Sequence, residues 1–419
     1  MRIVYIHQYF RTRQMSGGTR SLEMARRLVA MGHEVDLVTS DNEPAPGTPR
    51  GWRVTNEEGI RVHWYPLPYS NKMSYADRLK SFFAFAWKSS RRAAGIPCDV
   101  VFATSTPLTV AIPGTYAAWR RRVPMVFEVR DLWPDMPIAI GALKNPVAIA
   151  AARMLERYAY RHSTRIVALS PEMKAGVIRT GFPETHVAMI PNACDLDLFP
   201  GSADDGRRFR ASLPWLGDRP LVIYAGAIAI LNGCTYLVDL AKATKDLNPE
   251  VRFLLIGEGN DLERVRTAAA ERGVLDKNLF FLPRIAKQEV PAALAAATLA
   301  TSMFVDVPGT SANSPNKFFD AIAAGRPVAV NHRGWIADIV RDRDCGLALP
   351  PGDAAAGAKP LVEAIADPVW LARAGANARR TAEELFDRDK LAVQLEGVLR
   401  EAVAAAGRPT TQPVTDSSP

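Results

Sequence analysis

At 419 residues the chain is long enough for two domains of ordinary size, and 48% hydrophobic against 23% charged residues excludes a disordered or fibrous protein. A formal charge of +8 permits attraction to nucleic acid, anionic lipid or an anionic small molecule and selects none of them. Cys98, Cys194, Cys234 and Cys345 are far apart without CxxC or Cys/His spacing, which argues for a reduced cytoplasmic chain without structural zinc. No charge-free apolar run of about 18 residues occurs, so no membrane span is expected and any membrane contact would be peripheral.

The opening MRIVYIHQYF reads as a first β-strand, Ile3 to Ile6, because its apolar run is too short for a signal peptide. Ser16-Gly17-Gly18-Thr19 then opens an amphipathic helical segment that Gly32 closes, and Val35 to Val38 supplies a second strand. Strand, glycine turn, helix, glycine, strand is a βαβ unit, which demands a parallel sheet. Further strands are expected at Val100 to Ala103, Pro124 to Val129, Arg165 to Leu169 and Val187 to Ile190, with Ser170-Pro171 as cap and first residue of a helix. Residues 197 to 218, rich in Asp, Gly and Arg, read as a connection. A second series follows at Leu221 to Gly226, Val251 to Gly257, Leu279 to Leu282, Ala300 to Val305 and Pro327 to Val330, and a helix over Arg388 to Ala405 precedes a polar tail. The resulting division is a first domain over 1–198, a linker over 199–218, a second domain over 219–387, a helix over 388–405 packing back on the first domain, and a disordered tail over 406–419.

Polar residues gather where the strands end, the edge on which open parallel sheets bind ligands. Gly17 and Gly18 let the backbone turn tightly while amides at the helix start face a phosphate, or else simply pack helix on sheet. Gly226, Gly257 and Glu258 lie at strand ends of the second lobe, Glu258 reading equally as a solvated loop acid. Ser314-Pro315-Asn316-Lys317 leads a short helix on which Lys317 and Asp320 share a face, placing an ammonium for phosphate and a carboxylate for vicinal hydroxyls. Glu128, Arg130, Asp131 and Trp133 cluster at one strand end. Asp195 and Asp197 have D-x-D spacing but read as interlobe or capping residues rather than metal ligands, and among the histidines His7 is the one closest to the glycine turn. GxxxxGK[ST], GxSxG and HExxH are all absent.

In order, HQYF, GGTRSLEMARRLVAMGHEV, VFEVRDLWPD, ALSPEM, IPNACDLDLF, LLIGEGNDLERV and SPNKFFDAIAAGRPV give the chain a resemblance to the family 4 glycosyltransferases, and within them to the fucosamine transferases of O-antigen and capsule synthesis. The resemblance implies a GT-B fold, two Rossmann-like doubly wound domains facing each other across a cleft, and a retaining transfer from a nucleotide-sugar donor, a UDP-sugar, without a metal or other cofactor. It places the Gly18 amide on the donor diphosphate, with Gly17 beside it, Thr19 near sugar or acceptor, Arg284 near the base and Asp320 on the ribose hydroxyls. Ala312 stands where the family often has glutamate, so Ser314 or Asn316 takes its contact to the sugar. Asn232 stands where many members have the diphosphate-gripping lysine; Lys317 is the replacement, with Arg333 behind it. Arg130 occupies the place of a histidine near the sugar, and Arg130, Asp131, Gly18 and Lys317 make the catalytic set.

The implied donor sugar is an N-acetylated amino or deoxyamino hexose, and the implied acceptor is a saccharide, free or linked to polyprenyl diphosphate, in surface polysaccharide synthesis. Tyr75 to Arg92, basic and aromatic, suits peripheral contact with an anionic membrane at the inner face of the cytoplasmic membrane, or plain core packing. Nucleic acid has no motif here beyond net charge. The alternatives are a sugar-nucleotide epimerase or a transferase acting on a soluble metabolite, and a non-catalytic saccharide- or nucleotide-binding subunit of a polysaccharide assembly complex.

Overall fold

The computed structural model describes residues 1–15, 17–45, 47–70, 73–139, 141–201 and 203–407, with Tyr75 described by its backbone alone. Ser16 of the glycine turn and residues 408–419 of the expected tail lie outside the described residues. The chain divides into two compact units, one formed by Met1–Thr12, Thr19–Pro191 and the chain from Asp389 on, the other by Arg13–Gly18 and Asn192–Arg388.

The first unit is built on eight strands, β1 (Arg2–Ile6), β2 (Glu34–Asp41), β3 (Arg53–Glu57), β4 (Ile60–Pro66), β5 (Val100–Thr104), β6 (Met125–Val129), β7 (Arg165–Ala168) and β8 (Val187–Met189), in the order β3-β4-β2-β1-β5-β6-β7-β8. All neighbours are parallel except the β3–β4 hairpin. β5 and β6 are buried throughout, as strands covered by helices on both faces must be. The chain leaves β1 in one direction and travels from β4 through β8 in the other. Right-handed crossovers therefore place the helix Arg20–Ala30 on one face and the helices Tyr75–Gly95, Ala111–Arg121 and Pro146–Arg161 together on the opposite face. The last helix, Arg388–Ala405, joins the Arg20–Ala30 side: Arg27 Nε donates to Asp389 Oδ1 at 2.5 Å, and His33 Nε2 lies 3.1 Å from Glu396 Oε1. Its Leu391, Leu395 and Leu399 are buried.

Six parallel strands carry the second unit, β9 (Leu221–Ala225), β10 (Arg252–Ile256), β11 (Leu279–Leu282), β12 (Leu299–Ser302), β13 (Val328–Val330) and β14 (Gly346–Ala348), in the order β11-β10-β9-β12-β13-β14. Alternate residues feed two cores. Leu221, Ile223, Leu254, Ile256, Val328 and Val330 point into one, and Val222, Tyr224, Phe253, Leu255 and Ala329 into the other.

Residues 199–218 are not a linker. Phe199, Leu213 and Leu216 are part of the second unit's core, and Ala203–Ala211 is a helix whose Arg210 donates to the Ala296 carbonyl at 2.6 Å. The Asp/Arg richness that suggests a connection is the exposed face of that helix, where Asp204 pairs with Arg207 and Asp205 with Arg208 at i,i+3. The β3–β4 hairpin is also unexpected from the apolar runs; its signal is Glu58-Gly59, both at positive φ as a two-residue hairpin turn requires. Among the described residues no helix is long and apolar enough to cross a membrane.

Candidate active site

In each sheet the strand order reverses at one point, between β1 and β5 in the first unit and between β9 and β12 in the second. Ligands of open α/β sheets bind beyond the strand ends at such points. The sequence-derived candidates fall around both.

The backbone enters the first unit's helix Arg20–Ala30 through exposed Gly17, at φ +126°, and Gly18, both of which group with the second unit. Thr19 is the N-cap; its carbonyl accepts from Glu23 N at 2.9 Å but its hydroxyl makes no capping bond. What holds this entry is Arg20, which is 1% exposed. Its guanidinium donates to Glu128 Oε1 at 2.8 and 3.0 Å, to the Ile190 carbonyl at 2.8 Å and to the Pro191 carbonyl at 2.5 Å, while Thr104 Oγ1 donates to Glu128 Oε2 at 2.5 Å. Glu128, a candidate for lining a ligand site, is instead a buried brace. Burial would raise its carboxyl, but the charges of Arg20 and Arg130 outweigh it and hold the group below the usual range.

Arg130 and Asp131 follow directly. The Arg130 amide donates to Ser105 Oγ at 2.9 Å, and its Nη1 lies 3.3 Å from His7 Nε2. Burial first, then Arg130 and Arg11, keep His7 neutral. With Nε2 facing a guanidinium donor, the ring hydrogen sits on Nδ1, which has no partner among the described residues. Asp131 is half-buried with no ion-pair partner among the described residues, and burial, opposed by Arg130, pushes its carboxyl up to about 6. A raised carboxyl binds its proton more tightly in the folded chain, so this group makes stability fall as pH rises from about 4 to about 6. Asp131→Asn is expected to flatten urea-denaturation midpoints across that window; an unchanged pH slope would refute the assignment.

In the second unit, two glycine loops lean on one another. Gly226 N donates to the Ile256 carbonyl at 2.9 Å, and Ile228 N donates to the Glu258 carbonyl at 2.9 Å. Gly257 sits at φ +153°, and a Cβ there would fall 1.9 Å from the Gly226 carbonyl oxygen. Gly257→Ala is therefore expected to cost roughly 2–3 kcal/mol in urea unfolding, at the upper end for overpacking because backbone must move; a loss below about 0.5 kcal/mol would show the loops to be adjustable. The Glu258 side chain is exposed.

Across Gly226 lies Lys317, on the first turn of the helix Asn316–Ala323. A Cβ at Gly226 would fall 2.6 Å from Lys317 Cε, so the absent side chain is the channel for the lysine stem. The ammonium sits 5.2 Å from the Tyr224 ring centre and 5.8 Å from that of Phe304. With the Asn232 amide turned as its neighbours require, its nitrogen donates to the Ala227 carbonyl at 2.9 Å and its oxygen accepts from Lys317 Nζ at 3.2 Å. The geometry thus brings Gly226, Asn232 and Lys317 together. No carboxylate lies within ion-pair distance of Lys317 among the described residues, and burial, opposed by Cys234 and Asp320, lowers its pKa.

The remaining candidates separate. Asp320 accepts from Lys287 Nζ at 2.6 Å. Ser314 Oγ accepts from Asn192 N at 3.1 Å and its carbonyl from Asn192 Nδ2 at 2.6 Å, so it braces the chain at 192. Asn316 and Arg284 are exposed, and Arg333 is tied to Asp306 at 3.2 Å rather than backing Lys317. Asp195 accepts from Arg388 at 2.5 and 3.0 Å, a buried structural pair. Sequence reasoning missed Lys287, and it missed His332, edge-on to Phe304 at 5.2 Å with an Nε2 that has no partner among the described residues. The signal for His332 was its place just past the strand Val328–Val330. Among the described residues no group of three or more His, Cys, Asp or Glu could hold a metal ion.

Residues 17–193 match the Glycosyl transferase 4-like domain, and residues 205–381 match Glycosyl transferases group 1. A 2-deoxystreptamine glucosyltransferase of Streptomyces kanamyceticus is 25% identical over 367 residues, covering 83% of this chain and 89% of its own. A D-inositol 3-phosphate glycosyltransferase of Xylanimonas cellulosilytica is 26% identical over 395 residues, covering 91% and 90%. Among solved structures, Anabaena HepE in complex with UDP and glucose superposes with TM-score 0.73 at 18% identity over 96% of this chain and 100% of its own. At these identities the structures speak for the fold. Two Rossmann-like units in succession, each matched by a glycosyl transferase domain, make this chain a glycosyltransferase of the GT-B fold, related to the glycosyl transferase 4-like and group 1 families.

Proposed function

We propose that the protein is a retaining glycosyltransferase that moves an amino or deoxyamino hexose from a UDP-sugar to a saccharide carried on polyprenyl diphosphate, in the synthesis of a surface polysaccharide. The observation that carries the donor half is Lys317, an ammonium held by two aromatic rings and an amide oxygen with no carboxylate within ion-pair distance among the described residues. A desolvated cation without an ion-paired carboxylate favours an incoming anion, and a diphosphate supplies one. The kinship with transferases, and a fold shared with an enzyme crystallised with UDP, support this choice of anion.

In this reading Lys317 takes the diphosphate, Asp320 with Lys287 the ribose hydroxyls, and Arg284 the base. Amides at Gly17 and Gly18 and the Thr19 hydroxyl meet the phosphates and sugar, and Arg130 and Asp131 line the acceptor side. As the bond from C1 to the phosphate oxygen breaks, charge grows on the leaving UDP, so a fixed ammonium stabilises that transition state more than the ground state. The acceptor oxygen bonds to C1 on the same face and its proton passes to the departing phosphate oxygen, so no side-chain nucleophile is needed. Incubation with UDP-sugars and a lipid-linked saccharide, read by mass spectrometry, should lengthen the acceptor by one sugar. An unchanged acceptor beside an isomerised donor would mean epimerisation and end this reading.

A further inference from the structure

The helix Tyr75–Gly95 does not bury its aromatic cluster as a block. Phe85 is in the core and Phe82 stacks on Tyr69 at 5.9 Å, but Phe83 and Trp87 face outward at 54% and 60% exposure. Lys80, Phe83, Trp87 and Arg91 recur at helical spacing as one exposed stripe, with the Arg91 guanidinium 4.5 Å above the Trp87 ring. The neighbouring helices continue it. Ala111–Arg121 presents Trp119 at 70%, and Pro146–Arg161 presents Val147 at 76% and Met154 at 70%.

All three helices lie on one face of the first unit's sheet, the middle one packed against both others. Their outward sides therefore form one surface, and half of the fourteen large apolar side chains exposed among the described residues sit on it. Scattered exposed apolar residues are ordinary; a concentration on adjoining helices marks a partner. Charge says which. These helices expose six lysines and arginines against a single acid, Asp77, which is already paired with Lys80 at 3.1 Å. A second copy docking by a two-fold axis would set cation against cation.

We infer that this three-helix face is a docking surface for an anionic lipid bilayer, with Phe83, Trp87, Trp119 and Met154 entering the headgroup boundary and the surrounding cations meeting lipid phosphates. It rests on the proposed lipid-linked acceptor for its purpose, and it widens the membrane contact from one segment to a layer of three helices.

The test is flotation of the full chain with vesicles of phosphatidylglycerol and phosphatidylcholine, against vesicles of phosphatidylcholine alone. The chain is expected to float with the mixed vesicles, to lose binding at high salt by about fivefold for each cation engaged, and to stay behind with the neutral ones. Trp87→Ser with Trp119→Ser is expected to lower the partition coefficient at least about tenfold, and Arg91→Glu with Arg120→Glu to abolish flotation. Calorimetric titration with UDP accompanies every variant, and unchanged UDP affinity shows that folding is intact. Failure of the wild type to float, equal flotation with neutral vesicles, or indifference to both double variants would overturn the surface. A doubled mass in light scattering that the tryptophan variant halves would overturn it in favour of a second copy. UDP binding without flotation removes this surface and leaves the donor assignment; flotation without UDP binding does the reverse.

Discussion

Lys317→Ala is expected to weaken UDP binding about a hundredfold, the loss of one charge-assisted contact to phosphate, while shifting the thermal midpoint by no more than about 2 °C. The asymmetry follows from the site. The ammonium is drawn from water, burial lowers its proton affinity more than Cys234 and Asp320 raise it, and among the described residues no carboxylate lies within ion-pair distance, so folding gains little from its charge. Its methylene stem does pack, over Gly226, where an added Cβ would meet Cε, Cδ and Cγ at 2.6 to 3.3 Å. Lys317→Met isolates the charge: it retains the stem and is expected to lose UDP as fully as alanine does. Gly226→Ala should reproduce part of the loss by displacing the stem. Calorimetry with UDP beside differential scanning of the same samples decides the matter. If affinity and midpoint fall in step, or if methionine binds UDP as well as lysine does, the diphosphate assignment fails.

Arg20→Ala carries the largest expected stability loss, about 3–5 kcal/mol in urea denaturation, because it strands the Glu128 carboxylate in a fully buried site. Two main-chain carbonyls, of Ile190 and Pro191, lose their donors at the same time. Arg20→Met with Glu128→Leu should recover most of the deficit, since removing both charges avoids the unpaired ion. The pH dependence has a definite sign. Glu128 is held below its ordinary value in the folded chain, so its contribution is present above about pH 4.5 and is lost as pH falls through the lower folded value. In Arg20→Ala the stranded carboxylate protonates more readily, and the gap to wild type should narrow with acidification. A gap that stays constant from pH 7 to pH 4 would show that Glu128 is not the buried ion this argument requires.

The fold was largely legible because its signals are local. The apolar run of β1, the glycine turn, and Gly32 behind the first helix all lie within one βαβ unit. Ser170 does cap through Met173 N at 3.1 Å, and the last helix runs over the residues its leucine spacing indicates. Charge misled at 199–218, where a solvated helix face has the composition of a linker. At the candidate site, strand-end polarity picked out residues that the structure sets just past strand ends, and the vacancy of a lysine at 232 pointed to Lys317, whose ammonium lies against Asn232. What stayed hidden were pairings between distant parts of the chain. Arg20 with Glu128 spans 108 residues and Lys287 with Asp320 spans 33, and no periodicity links such partners. Ser314 and Arg333 illustrate the converse, polar residues close in sequence to Lys317 or to a strand end whose bonds turn out to be structural.

The chain returns to its first unit at Asp389, after completing the second. The first unit's sheet therefore lacks one of its covering helices until residues 389–405 have been synthesised, and Leu395 and Leu399 of that helix are both 0% exposed when folded. On the ribosome, the rear unit has its full set of elements first, and the half translated earliest is the last to be sealed.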